Sequence, residues 1–196
     1  MPDLRIGVLA IQGGFAAHLA TLRELGAAVR EVRVPADIEG LEGLVIPGGE
    51  STTIVKGIES AGLVEAIRAH HEDGRPVFGT CAGMIVCDAD HLGLLDVTTR
   101  RNVFGRQLQS FEADLAIEGI GDEPLRAVFI RAPWVERAGP GVDVLASYGD
   151  HPVAVREGGV LACAFHPELT DDSRMHALFM AMATGARSGA REGVER

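Results

Sequence analysis

The chemistry-bearing stretch of this chain is Gly79-Thr80-Cys81-Ala82-Gly83, set between the apolar run Pro76 to Phe78 and the apolar residues Met84, Ile85 and Val86. The first run is too short for a helix and suits a buried strand, whereas the second resumes as a helix. A Gly-x-Cys-x-Gly between a buried strand and a helix has the form of a nucleophile elbow. The turn is sharp, so the positions flanking the nucleophile must be small, and glycines two residues away on both sides supply that clearance. Such a turn lifts the Cys81 sulfur above the sheet edge, where free backbone N–H groups and the helix dipole favour negative charge. A small buried cysteine in a strand-to-helix turn is the competing reading, and the rest of the chain decides between them.

A catalytic cysteine needs a base beside the sulfur and a group that orients the base. Of the seven histidines, His18, His70 and His71 sit in helical stretches with polar neighbours and are expected at the surface. His91 and His151 fall in turns, and His176 in the last helix. His166 differs: it ends the apolar run Val160 to Phe165 and precedes Pro167 and Glu168. A residue before proline is pushed towards extended geometry, and in an extended chain residues i and i+2 face the same side. His166 and Glu168 are therefore expected to point together, the carboxylate accepting from one ring nitrogen and leaving the other for a thiol. As an isolated tripeptide, His-Pro-Glu reads first as a polar strand exit. Beside an elbow cysteine in one α/β domain, the catalytic reading prevails.

A third element is Pro47-Gly48-Gly49-Glu50-Ser51. Glycines after a strand and before a helix expose backbone N–H groups that can hold an oxyanion. The N–H of Ala82, directly after the cysteine, would be the second donor.

These residues must be positioned by the elements around them. Leu4 to Ala10, Val29 to Val34, Leu44 to Ile46 and the Pro76 run read as strands. They alternate with helices over Phe15 to Leu25, after a cap at Ser51 or Thr52, and over about 62 to 73. That alternation implies a parallel sheet covered on both faces, with ligands beyond the C-terminal strand ends. Gln12-Gly-Gly, Pro47-Gly-Gly and the elbow all fall at that edge. After about residue 92 the pattern turns to strands at 93–98, 111–118, 125–131, 142–148, 151–156 and 160–165, so hairpins or an antiparallel extension are expected. A last helix covers Ser173 to Ala183. The expected fold class is thus a single three-layer α/β/α domain over 1–186, with a mostly parallel central sheet and an antiparallel extension. The stretch 187–196 is expected to be a disordered tail.

Composition narrows the classes. With 196 residues and 46% hydrophobic content, the chain can bury a full core. A net charge of −10 without a dense basic block argues against nucleic acid and anionic membranes as partners. No apolar stretch reaches the roughly 18 to 20 residues of a membrane span, and the N-terminus runs straight into a strand without a signal-peptide layout. Three cysteines, Cys81, Cys87 and Cys163, with no C-x-x-C pair, argue against a disulfide framework and a zinc ribbon. A reducing, cytoplasmic setting is expected.

Beyond the elbow, several longer segments complete a recognisable set: Ile6 to Gly13, Pro47 to Thr53, Phe78 to Gly83, His91 to Leu95, Arg101 to Gln107, Ser110 to Leu115, Val128 to Pro133 and Phe165 to Thr170. Together they resemble the triad-type (class I) glutamine amidotransferase domains, and within these the glutaminase subunit of bacterial pyridoxal 5'-phosphate synthase. The resemblance runs from about residue 4 to 183. The elbow and His-x-Glu are widespread among amidotransferases, whereas Pro-Gly-Gly-Glu-Ser-Thr, Arg-Asn-x-Phe-Gly-Arg-Gln and Phe-Ile-Arg-Ala-Pro are far more specific.

The resemblance implies that Cys81 is the nucleophile, with His166 and Glu168 completing a triad. It implies that Gly48, Gly49, Glu50, Ser51, Ala82, Arg101, Ile130 and Arg131 hold the substrate or its oxyanion. L-Glutamine would be hydrolysed to glutamate and ammonia with neither metal nor organic cofactor. The ammonia would pass to a (β/α)8-barrel synthase partner that builds pyridoxal 5'-phosphate, in a large hetero-oligomer around a dodecameric core. Members of the family are poorly active until that partner orders the oxyanion loop, and the segment containing Gln12 lies at the contact. Two features depart from the pattern: Ile85 to Asp90 is several residues shorter than usual, and the tail after 184 has no family role. Rival readings are a glutaminase serving another synthase and a thiol-based stress protein with an elbow cysteine. The second would not need Glu168 beside His166, nor an arginine for glutamine. A catalytically dead binding subunit is a third.

Overall fold

A computed structural model describes residues 4–101 and 110–194 of the chain. Its frame is a seven-stranded sheet in the order β2-β1-β3-β4-β11-β10-β9. Four of these strands, β1 (Arg5–Leu9), β3 (Gly43–Ile46), β4 (Val77–Thr80) and β11 (Val160–Cys163), form the parallel centre. The last three are buried at every residue, as continuous apolar runs covered on both faces should be. β2 (Ala28–Val32) adds a parallel, largely exposed edge. On the other side β10 (His151–Glu157) and β9 (Asp143–Tyr148) pair antiparallel.

The layers follow from strand alternation. Phe78 on β4 packs its ring 5.7 Å from that of Phe179 on α5 (Arg174–Val194), and α1 (Phe15–Glu24) meets α5 through His18 and His176. Gly79, which faces the opposite side, is closed over by Gly83 of α4 (Ala82–Cys87). α4 in turn packs on α2 (Ser51–Ser60), and α3 (Val64–Glu72) completes the helices. Full burial of Phe78, Phe129, Phe165 and Phe179 stabilises this frame by about 1.5–3 kcal/mol per side chain. Two antiparallel pairs lie outside the sheet: β5 (Val97–Arg100) with β8 (Trp134–Ala138), and β6 (Ser110–Leu115) with β7 (Leu125–Ile130). Among the described residues no helix is long and apolar enough to cross a membrane.

The expected strands, helices and antiparallel extension are present, with local differences. β8, broken up by Glu136 and Arg137, carries too little apolar alternation to be read in advance. The expected strand 93–98 is irregular up to Asp96, because the chain reverses at Gly93, φ 67°, and the Leu94 and Leu95 N–H groups turn back to the Cys87 carbonyl at the end of α4. The cap of α2 is not Ser51 or Thr52 but Glu50, whose carboxylate accepts from the N–H groups of Thr52 and Thr53. α5 continues through Val194, past its expected end at Ala183 and into the stretch expected as an unpatterned tail. The specific motif at Asn102 to Gln107 lies outside the described residues.

Candidate active site

The ends of the four parallel strands β1, β3, β4 and β11, with those of β5 and β7, converge on one cavity. Its volume is about 330 Å³, within the range of small-molecule sites, and it opens over the C-terminal edge of the parallel strands. Cys81 follows β4 directly, at φ 49° and ψ −107°. Among the described residues it and Arg131 are the non-glycine positions with positive φ, and both line the cavity. The elbow holds because Gly83 passes against the Ile46 carbonyl, so tightly that a Cβ there would clash with it. Cys81 is nearly buried, and its Sγ lies 3.8 Å from the Ile130 carbonyl. The other two cysteines are fully buried without access to the cavity. Burial pushes the Cys87 thiol up to about 12 and holds that of Cys163 well above its ordinary value.

His166 leaves β11 with its backbone N–H on the Val128 carbonyl at 2.9 Å, and its ring lines the cavity. Its Nδ1 lies 2.8 Å from Glu168 Oε1. The two residues do face each other, but not through an extended chain. Pro167 to Leu169 forms a 3-10 turn, closed by the Leu169 N–H on the His166 carbonyl at 3.3 Å. Pro167 supplies the φ that starts such a turn, so the proline sets the geometry after itself rather than before. Burial alone would lower the pKa of His166, but hydrogen bonds and charge from Cys81 and Glu168 outweigh it and raise the value to about 10. Burial likewise works against the Glu168 carboxylate, yet the bond to His166 and the neighbouring histidines hold its pKa below the ordinary carboxylate value.

The loop after β3 is fixed from three sides. The Gly48 N–H donates to Thr80 Oγ1 at 3.1 Å, and the Gly48 carbonyl accepts from the Gly14 N–H at 3.0 Å. The Glu50 N–H donates to Gln12 Oε1 at 2.9 Å. A side chain at Gly48 would run into the His166 ring, its Cβ only 2.6 Å from Cε1. Because the peptide is trans and planar, the Gly49 N–H points away from the Gly48 carbonyl that Gly14 holds. Gly49 and Ala82 both line the cavity, and Ala82, as the first residue of α4, has an N–H without an intrahelical acceptor.

Of the expected residues, Cys81, His166, Gly49, Glu50, Ser51, Ala82, Arg101, Ile130 and Arg131 line the cavity. Gly48 sits just behind it on Thr80, and Glu168 behind His166. Arg101 reaches Thr52 Oγ1 with its Nη1 at 3.2 Å, and Arg131 is exposed at the rim. Hydrogen bonds from the Thr53 hydroxyl and from the N–H groups of Thr53 and Thr52 pull the Glu50 carboxyl down to about 2. The site therefore offers two guanidinium groups, a carboxylate that stays ionised, and two backbone donors around a thiol and an imidazole. Ile85, Pro133 and Gln12 also line it, although Gln12 was expected only at a partner contact.

The largest departure lies behind the site. His18 and His70, expected at the surface, are buried, and only His71 is partly exposed. The signal was available in the spacing: His18 shares the helical stripe of Phe15, Leu19 and Leu22, and His70 that of Leu63 and Ile67. Burial drops the pKa of both to about 4.

Comparison with known proteins places the chain in a family. A family model described as the SNO glutamine amidotransferase family matches residues 8–184. A Nocardia farcinica protein named pyridoxal 5'-phosphate synthase subunit PdxT is 52% identical over 200 residues, covering 94% of this chain and 88% of that one. A protein of the same name from Niallia circulans is 50% identical over 191 residues, covering 94% and 100%. A crystal structure of a glutamine amidotransferase superposes with a TM-score of 0.87 at 47% identity, over 91% of this chain and 98% of the other. The PurLQS structure from Thermotoga maritima, at 16% identity and TM-score 0.67, shares the fold over 95% and 97% of the two chains. The chain belongs to the SNO glutamine amidotransferase family.

Proposed function

We propose that the protein is the glutaminase subunit of a pyridoxal 5'-phosphate synthase, hydrolysing the side-chain amide of L-glutamine and handing the ammonia to a synthase subunit. The observation that carries the chemistry is that Cys81 and His166 line one cavity, with Glu168 behind His166 and bonded to it at 2.8 Å. The names of relatives at about half identity carry the pathway.

In this reading Cys81 Sγ attacks the amide carbon, and the carbonyl electrons move to oxygen. The N–H groups of Gly49 and Ala82 receive that oxyanion. His166, bonded to Cys81 and Glu168 and so holding its proton at neutral pH, delivers it to the departing nitrogen as the C–N bond breaks. Ammonia leaves and a glutamyl thioester remains on Cys81. Water then attacks the thioester and gives its proton to His166; collapse of the intermediate breaks the C–S bond, releasing glutamate and returning Cys81 and His166 to their starting protonation. Glu168 holds the imidazole by Nδ1 and balances its charge. Arg101 or Arg131 binds the substrate α-carboxylate by charge-assisted hydrogen bonds. Glu50 and the Ile130 carbonyl supply acceptors for the α-ammonium.

The partner is read as a (β/α)8-barrel synthase assembled as a dodecameric core, with the protein working in the cytoplasm. Glutamate release from L-glutamine, with and without the cognate synthase subunit, tests this reading. Strong stimulation by that subunit is expected. Activity indifferent to it would reopen the choice of partner, and absence of activity with both present would reject the glutaminase.

A further inference from the structure

Behind Glu168 lies a chain of buried polar groups that the proposed reaction does not use. His18 on α1 places Nδ1 2.9 Å from His176 Nε2 on α5. Its Nε2 lies 3.1 Å from Thr80 Oγ1 and 3.4 Å from Glu168 Oε2. Both histidines are completely buried. Glu168 Oε1 is engaged by His166, whereas Oε2 is buried with no aligned hydrogen-bond donor, and the ring of His18 is the polar group facing it, at 3.4 Å. A buried carboxylate oxygen normally has a donor.

The negative charge of the carboxylate favours one placement of the hydrogens on this chain. If His18 carried its proton on Nδ1, it would donate to His176 Nε2. The His176 proton would then sit on Nδ1, which is buried with no acceptor. The bare His18 Nε2 could accept from the Thr80 hydroxyl, but it would also set its lone pair 3.4 Å from the Glu168 carboxylate. That arrangement leaves one buried donor unsatisfied and sets two acceptors against each other. In the opposite assignment His176 Nε2–H donates to His18 Nδ1, and His18 Nε2–H donates to Thr80 Oγ1 and faces Glu168 Oε2 at 3.4 Å. What is left over is the lone pair on His176 Nδ1 and the rotatable hydroxyl proton of Thr80, while the ionised carboxylate faces an N–H rather than a lone pair.

We propose that His18 is a positioning residue for catalysis: its Nε2–H, with the ring oriented by His176, holds the second oxygen of Glu168 and the hydroxyl of Thr80. Thr80 in turn accepts the Gly48 N–H, so one imidazole steadies both the acid behind the base and the loop that offers the oxyanion donor. Gly14, at the start of α1, is left without a side chain where a Cβ would come within 3.2 Å of Glu168 Oε1, so the helix can approach this closely. Burial keeps His18 and His176 neutral at neutral pH, with values near 4 and 3, and the ring acts as a dipole rather than as a counter-ion. This proposal rests on the triad reading above.

The test combines kinetics with a measurement on the unaltered protein. His18→Leu, assayed with the synthase subunit, is expected to lower kcat roughly tenfold or more with KM little changed. The acidic limb of its kcat/KM profile should move up by about one pH unit, since Glu168 loses a donor that favours its ionised form. The titrating groups around Glu168 are His166 on the same turn, His18 on α1, His176 on α5 and Cys163 on β11, and the variant removes only the second. His18→Gln, which keeps an N–H near the position of Nε2, should restore both kcat and the limb. A role confined to packing would instead lower the melting temperature of both variants and leave the profile in place, and that result would overturn the proposal.

Nitrogen-15 NMR of the wild-type imidazoles needs no variant to fold: His18 should be protonated on Nε2 alone, and an Nδ1–H tautomer would overturn the proposal. Cys81→Ala separates the two levels. Activity retained in that variant would reject the triad and this proposal together. An inactive Cys81→Ala beside a fully active His18→Leu would reject this proposal alone.

Discussion

The two halves of the cavity are built differently. On one side Cys81, His166 and Glu168 extend from β4 and β11, strands buried at every residue and paired in the middle of the sheet. On the other, Arg101 and Arg131 stand exposed at the ends of β5 and β7, in two-stranded pairs outside that sheet. Backbone position on the first side is fixed by the whole core. On the second it depends on short ladders and on contacts such as Arg101 with Thr52. The reacting groups, which tolerate displacements of well under an ångström, thus occupy the rigid side. The groups that recognise the charged end of an amino acid sit where the chain can adjust. Substitutions on the rigid side are expected to change kcat, and those on the adjustable side KM.

The largest effects should come from the rigid side. Cys81→Ala is expected to abolish glutamine hydrolysis, about a thousandfold or more in kcat, while leaving the melting temperature and partner binding close to wild type. His166→Ala should fall nearly as far, and Glu168→Gln less, because the carboxylate orients the base and does not transfer the proton. Losses that are equal, or reversed in order, would contradict those roles. On the adjustable side, Arg101→Ala and Arg131→Ala should each raise KM by roughly tenfold with smaller changes in kcat. A pure kcat effect in steady-state assays would erase the distinction between the halves.

Stability carries a smaller, pH-dependent signature. His18, His70 and His176 are neutral in the folded chain, their pKa lowered by burial to about 4, 4 and 3 from 6.5. The unfolded chain therefore binds more protons below pH 6.5. Their contribution is fully present above that pH and is lost as pH falls towards the folded values, by roughly 1 kcal/mol or more per histidine at pH 5. His166 runs the other way: with a folded value near 10, its contribution is present below 6.5 and fades as pH rises towards 10. Urea midpoints at pH 5, 7 and 9 should accordingly peak near neutrality, and a midpoint that climbs steadily on acidification would refute the neutral, buried histidines.

Much of this was legible in the sequence because the parallel strands are unbroken apolar runs and their ends carry the glycines that sharp turns require. The elbow at Cys81 and the loop at Gly48 belong to that class. Glu168 was paired with His166 correctly, but through a 3-10 turn begun by Pro167, since a proline restricts its own φ as firmly as it restricts its predecessor. His18 was misjudged because a histidine among alanines reads as polar surface unless its place in the Phe15-Leu19-Leu22 stripe is weighed first. Its partners, Thr80, His176 and Glu168, lie 62, 158 and 150 residues away, and local pattern carries no information about such pairings. The Glu50 cap was missed for a simpler reason: glutamate is an uncommon N-cap, and two hydroxyl residues stood next to it.

The central claim, that the reaction runs through the sulfur of Cys81 and not through the other two thiols, is tested most directly by an electrophilic glutamine analogue such as a halomethyl ketone. Peptide mass mapping should place one adduct on Cys81, formed in step with loss of glutaminase activity and slowed by L-glutamine. An adduct on Cys87 or Cys163, or complete labelling of Cys81 with activity intact, would contradict the account.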